Sequence, residues 1–179
     1  MPLAPSLFDL QINGYAGVDF QNPALAPADL RRAIDALRAG RTHRILLTLI
    51  TDEIDALAGK FAQIEKYRAA DPVLAETICG YHLEGPFLSP EEGYRGAHPG
   101  ECMRAPDLAA FQRLQEAAGG NIRLLTIAPE WPGSAEFIAA VRCSGAVPAP
   151  ERCSGAVSCG RKSASHAKVP IDPYQVPIV

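Results

Sequence analysis

The chain has 179 residues, of which 47% are apolar and 21% charged, an ordinary composition for a soluble globular protein. That length gives room for one domain with a substantial core and is too short for a standard (β/α)8 barrel. A formal net charge of −3 gives no electrostatic reason to expect nucleic acid or an anionic membrane as partner. No apolar run approaches the roughly 18 residues of a membrane span, and Met1-Pro2-Leu3-Ala4-Pro5 has neither a basic nor a long apolar leader segment, so a cytoplasmic setting is expected.

Leu7 to Asn13 reads as a strand that ends in the glycine turn Gly14-Tyr15-Ala16-Gly17. Ala26 to Ala39 is helical: Pro27 suits a first turn, Leu30, Ile34 and Leu37 fall on one face, and Gly40 stops it. Ile45 to Ile50 is an uninterrupted apolar run, as in a parallel strand covered on both faces. Thr51 or Asp52 can cap the next helix, which carries Ile54, Leu57, Phe61 and Ile64 at helical spacing. Thr77 to Leu83 is a third strand, broken by Glu84-Gly85-Pro86. A loop from about Phe87 to Arg104 leads to a helix over Pro106–Ala118, a fourth strand over Ile122–Ile127 and a fourth helix over Ser134–Val141.

Alternating β and α elements predict a parallel sheet, either a barrel or a doubly wound sheet, and periodicity does not choose between them. No GxGxxG follows the first strand, which weakens the dinucleotide-binding version.

The tail differs. Arg142 to Val147 recurs almost at once as Arg152 to Val157, and the residues beyond show no amphipathic period. Residues 148–179 therefore have little apolar area to offset the entropy of ordering, and are expected to be disordered or foreign to the fold, through a frameshift or truncation. The five cysteines, at 79, 102, 143, 153 and 159, are odd in number and lack CxxC spacing, which supports neither a disulfide framework nor a structural zinc site.

The sharpest chemical signal is His82-Leu83-Glu84-Gly85-Pro86-Phe87-Leu88, followed by Gly96-Ala97-His98. Glu84 stands where a buried strand ends and the chain turns sharply, the position at which parallel barrels gather functional side chains. A carboxylate there can ligate a divalent metal or act as acid or base, and a solvated Glu at a strand end is the bland alternative.

The string H-L-E-G-P-F-L-S-P, a glycine-bearing spacer and then G-A-H resembles the hallmark of the N-acetylglucosamine-6-phosphate deacetylases of the amidohydrolase superfamily. Phe8 to Gly14, Gly17 to Phe20, Leu47 to Thr51 and Leu125 to Glu130 resemble further segments of that family in collinear order, over roughly residues 7 to 147. The resemblance implies an α/β fold: a partial (β/α)8 TIM-like barrel of about four βα units over residues 1–147, with an irregular tail over 148–179. It makes Glu84 a ligand of one divalent metal per site, zinc or a similar ion, and places Ala97 and His98 in the pocket for an amino-sugar phosphate. Where many amidohydrolases carry HxH, this chain reads Gln11-Ile12-Asn13. Neutral amides are poor zinc ligands, so Gln11 and Asn13 are expected to be hydrogen-bonding pocket residues in a single-metal site.

The implied reaction is metal-dependent hydrolysis of N-acetylglucosamine 6-phosphate to glucosamine 6-phosphate and acetate, a step of amino-sugar breakdown. The chain departs from the family pattern in lacking the later Gly-His strand end, the second histidine ligand and the catalytic aspartate, and His166 sits in the aberrant tail. No catalytic residue is therefore assigned. The alternative is an inactive fragment that binds at most a sugar phosphate or a partner chain. Dimerisation is implied by the family alone. Four groups are read as having no chemical role: His43 is packed or solvated; His82 is assigned to the strand face opposite Glu84; Cys153, Cys159 and His166 fit no common zinc pattern; and the Asn13–Gly17 turn is glycine-rich for conformational reasons.

Overall fold

A computed structural model describes residues 6–143 of the chain. The predicted tail over 148–179, with its cysteines and His166, lies outside the described residues. Within them the elements run in chain order as β1 (Leu7–Ile12), β2 (Gly14–Tyr15), β3 (Val18–Asp19), α1 (Pro27–Ala39), β4 (Thr42–Ile50), α2 (Ile54–Ala70), α3 (Pro72–Thr77), β5 (Ile78–Glu84), a 3-10 turn over Gly100–Cys102, α4 (Leu108–Ala117), β6 (Ile122–Thr126) and α5 (Ser134–Cys143). The four long strands form one sheet in the order β1-β4-β5-β6, and every neighbouring pair is parallel. The α/β class and the parallel sheet are as the alternation of elements predicted.

Sequence pattern explains most of this. The apolar stripe of α1 buries Leu30, Ile34 and Leu37, and Leu57, Phe61 and Ile64 do the same on α2. These stripes pack with Leu47, Leu49, Tyr81, Leu83 and Leu125 of the sheet into one core cluster. The Phe61 and Tyr81 rings meet edge-on with centroids 5.0 Å apart, the arrangement that aromatic quadrupoles favour. The opposite face of the central strands carries buried polar groups, Thr48 and His82.

Besides the 3-10 turn, the structure adds a hairpin and a short helix that the pattern does not show. Chain residues 14–15 and 18–19 pair as a two-rung antiparallel hairpin, too short for any alternation to be visible. Pro72–Thr77 forms a short helix with Pro at its start, and the Asp71 side chain caps it by accepting from Val73 N at 2.9 Å. One expectation is corrected. The N-cap of α2 is Glu53, without a side-chain cap bond. The Asp52 carboxylate instead accepts from Glu53 N at 2.8 Å and from Lys60 Nζ at 2.7 Å, and Thr51 turns toward the pocket described next.

Candidate active site

Parallel strands all present their C-terminal ends on one side of a sheet, and here those ends carry the polar groups that the motif singled out. Ile50 pairs with Glu84 across β4 and β5, and Glu84 with Thr126 across β5 and β6. Behind Glu84 the chain turns at Gly85, whose φ of +94° lies in the left-handed region, and passes through a cis peptide bond to Pro86. A side chain at 85 has no room either: a Cβ there would stand 2.0 Å from Thr51 Oγ1. Glycine at this turn is a steric requirement.

Glu84 is partly buried, its side chain 20% exposed. Its Oε2 accepts a bond from Gln11 Nε2 at 3.0 Å, although 73 residues separate the two in sequence. Its Oε1 faces His98 Nε2 at 3.9 Å, too long for a hydrogen bond. The loop after β5 thus returns His98 to the strand end it left. The other ring nitrogen of His98 lies 2.9 Å from Thr51 Oγ1, and Thr51 donates to the Glu84 carbonyl at 3.3 Å. Glu84, Gln11 and His98 therefore come together.

The remaining two expected pocket residues are less engaged. Asn13 is exposed just past β1, and its carbonyl accepts from Phe20 N at 3.0 Å. Ala97 is exposed beside His98.

His82 is a correction. Residues two apart on a strand share a face, so the reading that set His82 opposite Glu84 misapplied the alternation. Its ring lies between two threonines of neighbouring strands, with Nδ1 3.4 Å from Thr48 Oγ1 and Nε2 2.8 Å from Thr126 Oγ1. Thr48 also accepts from Ile12 N at 3.0 Å, which ties β1 into the same network. Burial holds the His82 imidazole below its ordinary pKa, with the Glu84 charge opposing that shift, so the ring is kept neutral in a layer beneath the carboxylate.

Sequence reasoning also passed over Gln21. Its amide donates to the Thr48 carbonyl at 2.8 Å and accepts from Ile50 N at 3.0 Å, serving as one more strand partner at the mouth of β4. No spacing rule signals such a residue. Thr51 could have been found, because a threonine following an apolar strand sits at the same strand-end level as Glu84.

As a metal site the described residues are incomplete. A catalytic zinc typically uses three protein ligands, whereas no group of three His, Cys, Asp or Glu able to hold an ion occurs among the described residues. Glu84 fits as one anionic oxygen donor with an imidazole beside it, and no step is derived through a metal here.

No family model matches the chain. It is 33% identical over 130 residues to the N-acetylglucosamine-6-phosphate deacetylase of Bacillus subtilis (strain 168), a match covering 72% of this chain and 32% of that protein. Identity to the Bos taurus protein of the same name is 38% over 150 residues, covering 80% of this chain and 35% of the other. Among solved structures, a mutant N-acetyl-D-glucosamine-6-phosphate deacetylase from Mycobacterium smegmatis in complex with N-acetyl-D-glucosamine-6-phosphate superposes with a TM-score of 0.63 at 31% identity, covering 77% of this chain and 33% of that one. The chain spans about a third of the length of the curated relatives it matches. By sequence and by fold together, it belongs to the N-acetylglucosamine-6-phosphate deacetylase family.

Proposed function

We propose that this chain forms the N-terminal part of a hydrolase that removes the acetyl group from N-acetylglucosamine 6-phosphate, and that its sheet is the opening section of a (β/α)8 barrel. The barrel reading is supported by β1, which has β4 as its one neighbour among the described strands. Along β1, Leu7, Phe8 and Leu10 are 57%, 52% and 52% exposed, an apolar edge suited to a further strand.

The observation that carries the function is the convergence of Glu84, Gln11 and His98 at one strand-end mouth. In this reading Glu84 is one ligand of a single divalent ion, zinc by preference, and the other ligands come from outside residues 6–143. When bound, such an ion lowers the pKa of a water molecule and polarises a carbonyl. The chain's own residues do the rest of what can be assigned. Gln11 holds the carboxylate in one orientation, His98 lines the sugar pocket beside Ala97, and Asn13 offers an exposed amide at its rim.

A second reading is favoured by the donor count at the mouth. With one carboxylate and one imidazole there among the described residues, the chain alone would bind an ion or a sugar phosphate without turning it over. One experiment separates the two. The purified chain is incubated with zinc and N-acetylglucosamine 6-phosphate, acetate release is followed, and zinc binding is titrated in parallel. Turnover abolished by Glu84→Ala supports the hydrolase reading for the chain itself. Zinc bound through Glu84 without turnover supports the binding fragment, and zinc binding indifferent to Glu84→Ala removes Glu84 from both.

A further inference from the structure

β1 runs out into the dipeptide Asn13-Gly14, and the fold leaves both halves of that pair chemically open. The chain has three asparagines. Asn22 Oδ1 accepts from Ala24 N at 2.9 Å, while Asn121 Nδ2 donates to Glu65 Oε2 at 3.4 Å and its Oδ1 accepts from Arg123 Nη2 at 3.3 Å. Asn13 is exposed, and its side-chain amide has no hydrogen-bond partner among the described residues. The adjoining backbone nitrogen is open as well. Gly14 stands opposite Asp19 in the antiparallel hairpin, and Phe20 N donates to the Asn13 carbonyl at 3.0 Å. Bonded and non-bonded pairs alternate along such a ladder, so Gly14 and Asp19 form a non-bonded pair. The Gly14 N–H therefore points away from β3, and no other acceptor takes it among the described residues. Glycine is compulsory here, because a Cβ at 14 would stand 2.4 Å from the Val18 carbonyl oxygen. The fold thus forbids any side chain that would shield this nitrogen from its neighbour.

We propose that Asn13 is a self-modification site: the Gly14 nitrogen closes on the Asn13 side chain, and the neutral amide at the end of β1 becomes a carboxylate. Asparagine is among the thermally labile residues, and an unshielded neighbouring nitrogen is what its lability requires. Hydroxide removes the Gly14 N–H proton, the nitrogen bonds to Asn13 Cγ, the bond from Cγ to Nδ2 breaks, and ammonia leaves with a proton taken from water. The product is a cyclic imide, which a water molecule then opens. Addition of water at Cγ gives aspartate with the main chain restored. Addition at the Asn13 main-chain carbonyl carbon gives isoaspartate, in which the chain runs through Cβ and Cγ. Water is the one co-reactant, and nothing is oxidised or reduced.

The hairpin offers little resistance to ring closure, because it has only two rungs and an isolated pair of strands is marginal in water. Either product adds a negative charge to the formal −3 of the chain, two residues beyond the Gln11 amide that donates to Glu84. The isoaspartate does more. It turns the carbonyl that accepts from Phe20 N into a free carboxylate and lengthens the backbone by a methylene, so the hairpin entry loosens. The site stands on this geometry, whether or not the chain takes a sugar phosphate.

The test ages the full chain in heavy-oxygen water at mildly alkaline pH, digests it in ordinary water and maps the peptides by mass spectrometry. Heavy oxygen then marks only what reacted before digestion. The expected result is a peptide holding position 13 that has lost ammonia and gained one heavy oxygen, resolved by chromatography into aspartate and isoaspartate forms. Asn22 and Asn121 stay intact over the same period, and conversion at 13 quickens as pH rises. Asn13→Gln, whose longer side chain would have to close a larger ring, abolishes the product. A parallel sample in urea supplies the rate for the unfolded chain. An intact Asn13 in the folded chain after the unfolded one has converted overturns the proposal, and so does conversion at Asn22 or Asn121 ahead of Asn13.

Discussion

Gly85→Ala is the substitution for which the site makes the most definite forecast. An alanine held at the observed φ of +94° costs about 1–3 kcal/mol in backbone strain. Its methyl would also stand 2.0 Å from Thr51 Oγ1 and 3.2 Å from Thr51 Cβ, so Thr51 must move or the turn must open. Either movement breaks the Thr51 hydroxyl's bond to the Glu84 carbonyl and its contact with His98 Nδ1, and leaving such buried groups unpaired costs about 1–3 kcal/mol more. The expected loss is about 2–6 kcal/mol, a large part of the 5–15 kcal/mol that holds a typical domain. Urea unfolding followed by fluorescence suits the measurement, because the one tryptophan, Trp131, donates to the Leu88 carbonyl at 3.0 Å, on the loop that begins at this turn. The part due to collision is isolated by a double variant. Thr51→Ala removes Oγ1, so Gly85→Ala should cost less in that background, by about 1 kcal/mol or more. A single variant within about 0.5 kcal/mol of the parent, the range of an ordinary surface change, would refute the steric argument. Strict additivity in the double variant would locate the cost in backbone strain alone.

Three further outcomes are expected. On the proposal that Glu84 ligates zinc, Gln11→Ala frees the carboxylate from its orienting amide, and zinc affinity measured by calorimetry should fall about 10–100-fold with little change in stability; an unchanged affinity would mean that Gln11 does not orient a ligand. Tyr81→Phe removes a hydroxyl that donates to Glu65 at 2.5 Å beneath the core, and should cost about 0.5–1.5 kcal/mol by thermal melting, with the sheet intact by circular dichroism. Lys60→Met acts through pH. Burial by itself raises the Asp52 carboxyl, but the bonds from Lys60 and from Glu53 N outweigh it, and the group ends below the ordinary carboxylate range. Such a group contributes stability that is complete above the unfolded value of about 3.9 and is lost as pH falls through the lower folded value. Without Lys60 only the Glu53 N bond opposes the burial effect, so acid unfolding should begin at higher pH than in the parent; coincident acid profiles would deny the pair any role.

How much of this was legible in the chain follows from which forces set each feature. The strands and the long helices follow apolar periodicity, and burial in one core enforces it, so Leu30, Ile34 and Leu37 or Leu57, Phe61 and Ile64 mark their helix faces directly. The helix over Pro72–Thr77 escaped because it is 6 residues long and is set by Asp71, which both caps it and accepts from Arg31 Nη1 at 2.7 Å, a tertiary contact with no local trace. Glu84 and His98 were legible as a motif. That Gln11 reaches Glu84 depends on the register between β1 and β4 and between β4 and β5, which alternation within each strand leaves open.

For His82 the period-two rule alone suffices: two residues before Glu84 on the same strand, it shares that face. On β5, Tyr81 and Leu83 lie in the core cluster, which leaves Gly80, His82 and Glu84 to the other face. That face meets Thr48 from β4 and Thr126 from β6, each following an apolar run in its strand. A strand covered on both sides has no general reason to place polar side chains at every second position, because each must then find a buried partner. Here three adjacent strands bring polar side chains together on one face, Thr48 level with His82 and Thr126 level with Glu84, and that is the side on which chemistry or ligand binding is supported. The imidazole of His82, between two threonine hydroxyls, links the side chains of β4, β5 and β6 just below the mouth. Glu84 inherits its position from that layer as much as from the Gly85 turn. Loss of the His82 ring in a variant that still folds should therefore loosen the carboxylate and weaken ion binding there, even though the ring lies beneath the carboxylate at the mouth.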